Sequence, residues 1–351
     1  MAIKYKWLAS RLREQIPDYA ARGQYRLPTE SELAGRYKVS RQTVRQALAL
    51  LTEEGLIEKR RGSGNYLTGR TRQAAQNRIP ILIASDSDYI YPKFLYDLRN
   101  ELTHRGFSLQ VHVTGNRPDS ERSVLAALLT EPPRVLIVEP VLCALPNPNL
   151  DHYLALQRAG THMVFLRYRY PQLRHAACIS EDNIAGSRML TEYLLSHGHT
   201  SIGAFFCAED AAGIERYQGM VETLRDHDLL LSAEHIRWFH TSELQQLQSN
   251  TYFIKKAIQE SFASCTAILC HNDQIAYEVV RMLHASSDPK LAEITVVSFD
   301  HSYLCHAGLH PFLSLSHPEH AWEQPLVEAT LAPLRGLTAQ SVSLPWENPL
   351  H

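Results

Sequence analysis

The sequence has no apolar stretch that could cross a bilayer, and this absence is the first constraint on its function. A transmembrane helix needs about 20 consecutive apolar residues, and no run of 18 or more occurs in the 351 residues. The first six residues contain two positive charges, Lys4 and Lys6, and no apolar signal-peptide segment follows them. We therefore expect a soluble, cytoplasmic protein without a membrane partner.

Metal-binding and catalytic motifs are also missing. The six cysteines, at positions 143, 178, 207, 265, 270 and 305, form no CxxC pair and no zinc spacing, so buried reduced thiols are expected. The nucleophile elbow GxSxG, the zinc motif HExxH and the P-loop do not occur either. The sequence thus predicts no metal, no cofactor and no enzymatic activity.

Charge is nearly balanced overall, at −2, but it is unevenly distributed. Residues 1–70 contain 14 Lys and Arg against 7 Asp and Glu, whereas residues 71–351 contain 21 against 30. We call residues 1–70 the head and residues 71–351 the body. A basic head joined to an acidic body is typical of a DNA-binding module joined to a sensor. The body is long enough for one large lobe or two medium lobes.

Residues 40–51 predict the helix around which the head is organised. Ser40 can cap its start. Arg41 and Arg45 lie one turn apart on one face, and Gln42 lies beside them. Arginine forks match the acceptors of guanine in the major groove. Four apolar residues at helical spacing form the opposite, docking stripe: Val44, Ala47, Leu48 and Leu51.

The flanking sequence completes a winged helix-turn-helix. Thr29 and Glu32 make a capping box for a preceding helix, and a short turn leads from it into Ser40. Residues 5–16 predict a supporting helix. Residues 56–60 and 65–68 predict two strands joined by a glycine-containing turn at 61–64, which indicates a basic wing.

This head closely resembles the GntR family of bacterial transcription regulators. The resemblance spans residues 3–68 and rests on the segments LPTESELA (27–34), SRQTVRQAL (40–48), GLI (55–57) and GSG (62–64). It implies that Arg41 and Arg45 read base edges, and that a weaker contact occurs at Ser31. It also implies DNA contacts from Ser40, Gln42 and Thr43, and insertion of Arg61 and Gly62 into the minor groove.

The body alternates short apolar runs with amphipathic segments, which predicts parallel sheets flanked by helices. A polar linker at 70–79 separates it from the head, so the predicted domains are residues 1–69 and 80–351. Strands are predicted at 81–84, 108–113, 135–138 and 163–166, with helices at about 93–105, 120–129 and 150–159. A second series has strands at 177–179, 201–206, 236–239, 267–270 and 294–298, with helices at 184–197, 216–227, 251–260 and 274–284. The strands are too many for one sheet, so two α/β lobes are expected, with residues 313–344 returning to the first.

The body resembles the LacI-type effector domain, which is similar to periplasmic sugar-binding proteins. The segments that carry this are ISEDNIAG (179–186), YLLSHGH (193–199), ERYQG (215–219), HNDQIA (271–276) and VSFDH (297–301). The resemblance implies two lobes crossed three times by the chain, a ligand between them, and a homodimer. It also makes His197 and His199 structural and not metal ligands. The pairing of head and body resembles arabinose repressors that are GntR/LacI chimeras.

Ligands of doubly wound lobes bind at the carboxyl ends of the strands, which selects the candidate ligand residues. Arg216, Asn272 and Asp300 match ligand-contacting positions of the LacI family. Trp238 is either a ligand-covering aromatic or a core residue, and Glu139 and Arg167 either pair with each other or face the ligand. The full candidate set is Ser85, Glu139, Arg167, Arg216, Trp238, Asn272, Asp300 and His317.

These patterns predict a ligand-responsive DNA-binding regulator, most simply a repressor. Its expected partners are operator DNA, a second copy of the chain, and a monosaccharide or close derivative. A neutral sugar is expected if Glu139 and Arg167 neutralise each other, and an anionic sugar if Arg167 faces the cleft beside Arg216. The alternatives are a regulator with an enzyme-derived or non-sugar-binding body, and a binding module that has lost its DNA role.

Overall fold

The computed structural model describes residues 2–21, 24–60, 63–68, 77–247 and 249–347, and every structural statement below refers to them. The head contains helices α1 (Ala2–Ala21), α2 (Glu30–Tyr37) and α3 (Arg41–Glu53), followed by strands β1 (Ile57–Arg60) and β2 (Gly64–Leu67). The two strands pair antiparallel, from Ile57 opposite Leu67 to Arg60 opposite Gly64. The predicted winged helix-turn-helix is confirmed.

The helix boundaries of the head follow from the predicted caps. Thr29 and Glu32 form the capping box of α2, and the Ser40 side chain accepts a hydrogen bond from the backbone N–H of Thr43 at the start of α3. Gly55 follows α3 with φ +70°, a conformation that glycine adopts without strain. The apolar stripe of α3 is buried at all four positions: Val44, Ala47, Leu48 and Leu51.

The first lobe is built on a six-stranded sheet with the order β13-β7-β6-β5-β3-β4. Its strands are β3 (Arg78–Ile83), β4 (Ser108–Val113), β5 (Val135–Val138), β6 (His162–Arg167), β7 (Ala177–Glu181) and β13 (Val342–Leu344). Its helices are α4 (Tyr91–His104), α5 (Pro118–Thr130), α6 (Leu150–Arg158) and α14 (Glu323–Leu331). The start of β3 at Arg78 lies within the stretch predicted as linker.

The second lobe has a five-stranded sheet with the order β12-β11-β10-β8-β9. Its strands are β8 (Ile202–Cys207), β9 (Ile236–Phe239), β10 (Ala267–Cys270), β11 (Thr295–Phe299) and β12 (Leu313–Leu315). Its helices are α7 (Asn183–Ser196), α8 (Ala211–Asp226), α9 (Thr241–Gln245), α10 (Tyr252–Glu260), α11 (Asp273–His284), α12 (Pro289–Ala292) and α13 (Leu304–Ala307).

Every neighbouring strand pair in these two sheets is parallel, as the alternating pattern predicts. One detail of the prediction is corrected: β7, placed at the head of the second series, pairs with β6 and belongs to the first sheet. In both sheets the first strand of the lobe lies between the second and the third. The order in which successive strands are added to the sheet therefore reverses beside β3 and beside β8. Doubly wound folds bind ligands at such positions.

The chain passes between the lobes three times: after β7, after β12 and after β13. At the last passage Trp346 enters the core of the second lobe, and its ring lies against Gly186 of α7. A Cβ at Gly186 would be 2.5 Å from Cδ1 of Trp346, so this close approach requires glycine. The predicted return of residues 313–344 to the first lobe is confirmed for β13, which pairs with β7. It is wrong for residues 313–315, which form β12 and pair with β11 in the second sheet.

Candidate DNA-binding face and interlobe site

The face of α3 opposite its buried stripe is open to solvent. Arg41, Gln42 and Arg45 are exposed there, and Thr43 is half-buried. Ser40 and Thr43 are engaged with each other, since their hydroxyl oxygens lie 2.8 Å apart. The helix thus presents two guanidiniums and an amide in the arrangement that major-groove reading requires.

Arg45 makes a contact that the sequence did not suggest. Its Nε donates to Oε2 of Glu30, the first residue of α2, over 2.7 Å. The ion pair is exposed, so its contribution to stability is small. Its effect is to orient the guanidinium, because it ties one of the two predicted base-reading arginines to the preceding helix.

The wing presents Arg60 at the end of β1. Its guanidinium pairs with Glu58 over 2.7 Å and lies 4.6 Å from the ring centroid of Tyr66 on β2. Arg61 and Gly62, for which the family resemblance implies insertion into the minor groove, lie outside the described residues. Their proposed role stays a prediction.

A chain of four charged side chains crosses the carboxyl edge of the first sheet into the second lobe. Glu139 follows β5, and its Oε1 lies 3.4 Å from Nε of Arg167, the last residue of β6. Arg167 in turn lies 3.3 Å from Glu181, the last residue of β7. The other carboxylate oxygen of Glu181 lies 3.3 Å from Arg216, on α8 of the second lobe.

Arg216 is buried and its guanidinium is held on every side. Its Nε donates to Asn183 over 2.9 Å, and another nitrogen donates to the carbonyl of His271. The guanidinium carbon lies 4.0 Å from the ring centroid of Phe299. Because Arg216 makes these bonds from α8 and pairs with Glu181 on β7, it ties the two lobes together.

Glu181 is the centre of this network. Burial raises the pKa of its carboxyl, but Arg167, His317 and Arg216 together outweigh burial and lower it to about 2. His317 places Nε2 3.5 Å from Glu181, and its ring stacks on Trp346 with centroids 3.8 Å apart. The two carboxylates and two guanidiniums of this four-residue network therefore cancel in charge.

The lobes also meet through side chains away from this network. The Tyr89 hydroxyl donates to Oδ2 of Asp300 over 2.7 Å and accepts from the backbone N–H of Asp273. Two donors of the first lobe reach the second: Asn116 Nδ2 donates to Thr241 Oγ1 over 3.2 Å, and Cys143 Sγ donates to Asp210 Oδ1 over 3.3 Å. In the other direction, Gln245 Nε2 of the second lobe donates to the carbonyl of Gly115 over 2.7 Å. The site between the lobes is thus closed by the chain's own polar groups.

The remaining predicted ligand residues fall into two groups. Asp300 and His317 lie at the interlobe edge, and Asn272 lies there while capping α11 through a bond to the N–H of Ile275. Ser85 is engaged in its own turn, where its hydroxyl donates to Asp88 over 3.2 Å. The structure therefore brings together Glu139, Arg167, Arg216, Asn272, Asp300 and His317.

The assignment of Trp238 to the ligand site is wrong. Its ring packs against Phe206 and Tyr217, with centroids 5.7 and 5.2 Å away. Trp238 lies within β9, one residue before its end, on the sheet face that packs against α8. Trp238 is therefore a core residue of the second lobe, and the indole rings at the interlobe edge include those of Trp322 and Trp346.

The Tyr91 hydroxyl donates to Glu139 over 3.0 Å, and the Trp322 ring centroid lies 5.5 Å from the guanidinium carbon of Arg167. Sequence reasoning missed these two residues and five others at this edge: Glu181, Tyr89, Asp210, His271 and Trp346. Glu181, Asp210 and His271 end or follow strands, so the carboxyl-end rule could have found them once β7, β8 and β10 were assigned. Trp346 follows the third passage between the lobes and carries no such signal.

Buried polar atoms without a hydrogen-bond partner gather at this edge. Within the part of the chain that the structure describes, they include Arg167 Nε, His271 Nδ1, Asp273 Oδ1 and His317 Nε2. Burial and the nearby Asp300 raise the pKa of Asp273 to about 7. Arg167 Nε and His317 Nε2 have only long ion-pair contacts, at 3.4 and 3.5 Å. Buried donors and acceptors without a hydrogen bond are costly, and their concentration at one place indicates a site for a polar ligand.

Comparison with known proteins agrees with this division of the chain. Residues 4–67 match the gntR family of bacterial regulatory proteins, and residues 191–321 match the periplasmic binding protein-like domain. The chain joins a GntR-type DNA-binding domain to a periplasmic-binding-protein-like domain. Both resemblances read from the sequence are thereby confirmed.

Relatives with this pairing include two arabinose metabolism transcriptional repressors. The protein from Halalkalibacterium halodurans is 27% identical over 325 residues, which cover 91% of this chain and 86% of the relative. The protein from Geobacillus stearothermophilus is 28% identical over 316 residues, which cover 88% of this chain and 86% of the relative.

Solved structures with the same fold include regulators bound to sugars. The complex of the transcriptional regulator CelR with cellobiose matches 92% of this chain and 98% of that chain, with a TM-score of 0.66 and 16% identity. A second structure is a periplasmic binding protein/LacI transcriptional regulator from Alkaliphilus metalliredigens, complexed with D-xylulofuranose. The match covers 77% of this chain and 96% of that chain, with a TM-score of 0.63 and 18% identity. At these identities the likeness concerns the fold of the periplasmic-binding-protein-like domain.

Among the helices that the structure describes, none combines the length and the apolarity needed to traverse a membrane.

Proposed function

We propose that this protein is a ligand-responsive transcription repressor whose GntR-type domain binds an operator and whose two-lobed domain binds a neutral monosaccharide. The observation that carries the proposal is the set of buried polar atoms without a hydrogen bond at the interlobe edge of a chain that also presents Arg41 and Arg45 on an exposed helix. Bacterial operator DNA lies in the cytoplasm, which would be the place of action.

The charges at the site favour a neutral ligand. Glu139, Arg167, Glu181 and Arg216 cancel in charge. The same edge also carries the carboxyls of Asp210, which lies 3.5 Å from His271, and of Asp300, which accepts from Tyr89. A carboxylate or phosphate on the sugar would meet these acids and would be repelled. A hydroxyl both donates and accepts hydrogen bonds, so a sugar can satisfy His271, Asp273 and His317 alike. Arabinose is the first candidate, because both repressor relatives are named for its metabolism.

The test is calorimetric titration of the full-length protein. We expect binding of arabinose or another neutral pentose or hexose, and no binding of arabinonate or arabinose 5-phosphate. Glu181→Gln removes one carboxylate between two guanidiniums and should shift preference toward the anions. Arg188→Gln, an exposed arginine on α7, serves as the matched control. Binding of anions alone by the unmodified protein would refute the neutral-sugar assignment.

Operator binding is expected to change with the sugar. A ligand that favours one lobe arrangement by about 1–3 kcal/mol changes DNA affinity by about 5–150-fold. Fluorescence anisotropy with a labelled operator, with and without arabinose, measures this factor directly. Equal affinity at saturating sugar would contradict a ligand-responsive role while leaving sugar binding itself intact.

We propose further that the protein acts as a homodimer on a pseudo-palindromic operator. One recognition helix reads too few bases alone, and two-fold pairing doubles the site. Sedimentation should show a dimer both free and on DNA, and a monomer under both conditions would contradict the proposal.

A further inference from the structure

The loop that follows β11 gathers two histidines and a cysteine beside the interlobe site. His301, Cys305 and His306 each offer one ligand atom, and these atoms all lie within 4.8 Å of one another. Cys305 is buried, whereas His306 is exposed. The three residues come from one loop and the short helix α13, so a single local segment holds them.

One separation between the ligand atoms already matches a tetrahedral ion, and the others are at most 4.8 Å. Sγ of Cys305 lies 3.7 Å from Nδ1 of His301. An ion about 2.3 Å from sulfur and about 2.0–2.1 Å from nitrogen in tetrahedral geometry separates those two atoms by roughly 3.6 Å. The ring planes of His301 and His306 are nearly perpendicular, at 85°, with centroids 5.3 Å apart. Ion binding would draw the three ligand atoms together from separations of up to 4.8 Å.

The backbone of this loop is held in a conformation that non-glycine residues avoid. Asp300 and His301 have φ values of +93° and +41°. Such conformations cost on the order of 1–3 kcal/mol each and persist only where the surroundings impose them. The N–H of His301 donates to Ser314 over 2.8 Å, and this bond fixes the strained segment so that the imidazole faces Cys305.

We propose that His301, Cys305 and His306 bind a Zn²⁺ ion, with the fourth position open to solvent. One thiolate and two imidazoles are a ligand set that Zn²⁺ takes in three-ligand sites. On binding, Cys305 gives up the bond that its S–H donates to the carbonyl of Ser302 over 3.0 Å, and the thiol proton passes to the buffer. This proposal differs from the expectation, drawn from cysteine spacing, that the chain binds no metal.

The test uses reduced, metal-stripped full-length protein titrated with Co²⁺ as a spectroscopic substitute for Zn²⁺. We expect one ion per chain, with a thiolate-to-cobalt charge-transfer band and the strong visible bands of tetrahedral Co²⁺, both abolished by one equivalent of Zn²⁺. Zn²⁺ should also raise the melting temperature of the protein by mass action.

Variants identify the ligands. Cys305→Ser should lose the charge-transfer band, and His306→Ala, an exposed change that leaves the fold intact by circular dichroism, should weaken Co²⁺ binding about tenfold or more. Cys265→Ser and His310→Ala are the matched controls and should bind as the unmodified protein does. Absence of the band in the unmodified protein, its survival in Cys305→Ser, or unchanged affinity in His306→Ala would overturn the proposal.

Discussion

At the scale of single residues, Glu181 decides the chemistry of the interlobe site. Two arginines from different lobes approach its two carboxylate oxygens, at 3.3 Å in each case. A buried ion pair of this kind gives a modest net stabilisation, because desolvation opposes the attraction, but removing one partner leaves an uncompensated buried charge. The same carboxylate therefore neutralises the site and joins the lobes.

Arg216→Ala should destabilise the protein strongly. The variant leaves Glu181 and the carbonyl of His271 without their buried partner, and the expected loss of unfolding free energy is about 3–5 kcal/mol. Arg188→Ala, which removes an exposed pair with Glu222, should cost less than about 1 kcal/mol. Urea denaturation of both variants makes the comparison, and equal losses would mean that Arg216 is not part of a buried network.

Asp273 should make stability depend on pH. Burial, followed by the nearby Asp300, raises its folded pKa to about 7, whereas the unfolded value is about 3.9. The folded state thus holds a proton that the unfolded state has lost between these values, so this group destabilises the fold as pH rises from about 4 to about 7. Asp273→Asn should remove the effect. Denaturation at several pH values should show that the unfolding free energy of the variant increases relative to that of the unmodified protein as pH rises. Parallel curves would contradict this.

At the scale of elements, sequence patterns predicted most of what the structure contains. Caps and the apolar stripe placed α2 and α3 to within a residue or two, because Ser40 and Thr29 act locally. Nine of the eleven strands in the two sheets were predicted, because each is a short run rich in apolar residues, whereas β12 and β13 were not predicted as strands. The lobe to which β7 belongs was not predicted, since strand pairing is a long-range property. Trp238 was misassigned because a strand end does not reveal which face a side chain covers.

The contact between α2 and α3 leads to a prediction about DNA recognition. Arg45→Ala should cost about 1–3 kcal/mol in operator binding and relax base preference. Glu30→Gln keeps the arginine but releases it from its 2.7 Å ion pair. The Glu30→Gln variant should have a lower ratio of operator affinity to non-specific affinity, because the guanidinium of Arg45 is no longer oriented. Anisotropy with operator and scrambled duplexes gives both numbers, and an unchanged ratio in Glu30→Gln would show that the pair has no role in reading.

The wing should behave differently from α3. Arg60 lies at the end of β1 and offers a guanidinium suited to a phosphate. Arg60→Ala should weaken binding to all duplexes alike and reduce the slope of log affinity against log salt by about 1. A loss confined to the operator would instead assign Arg60 to base reading.

At the scale of the whole molecule, the two lobes and the three passages between them form one site. The passages carry Asp182, His317 and Trp346, so movement of the lobes changes the surroundings of Glu181 directly. The sequence predicted the two lobes from the number of its strands and from its resemblance to a two-lobed effector domain. It did not predict the polar contacts across them, because those depend on how far the lobes close.

Tyr89→Phe should loosen this closure. It removes the hydroxyl that bonds Asp300 and the N–H of Asp273 and changes nothing else in size. Small-angle scattering should report a larger radius of gyration for the variant than for the unmodified protein. Tyr252→Phe, an exposed tyrosine on α10, is the control and should leave the radius unchanged. An unchanged radius in both would mean that other contacts alone hold the lobes.

The contacts that close the lobes also determine how quickly the protein can respond. A sugar reaches Glu181 only after the bonds of Tyr89, Asn116 and Gln245 have opened, and opening is a step whose rate does not depend on sugar concentration. In stopped-flow experiments that follow Trp322 and Trp346 fluorescence, the rate of capture should therefore level off as sugar is increased. A promoter under this regulator would ignore sugar pulses shorter than the opening time and would answer only to a sustained supply.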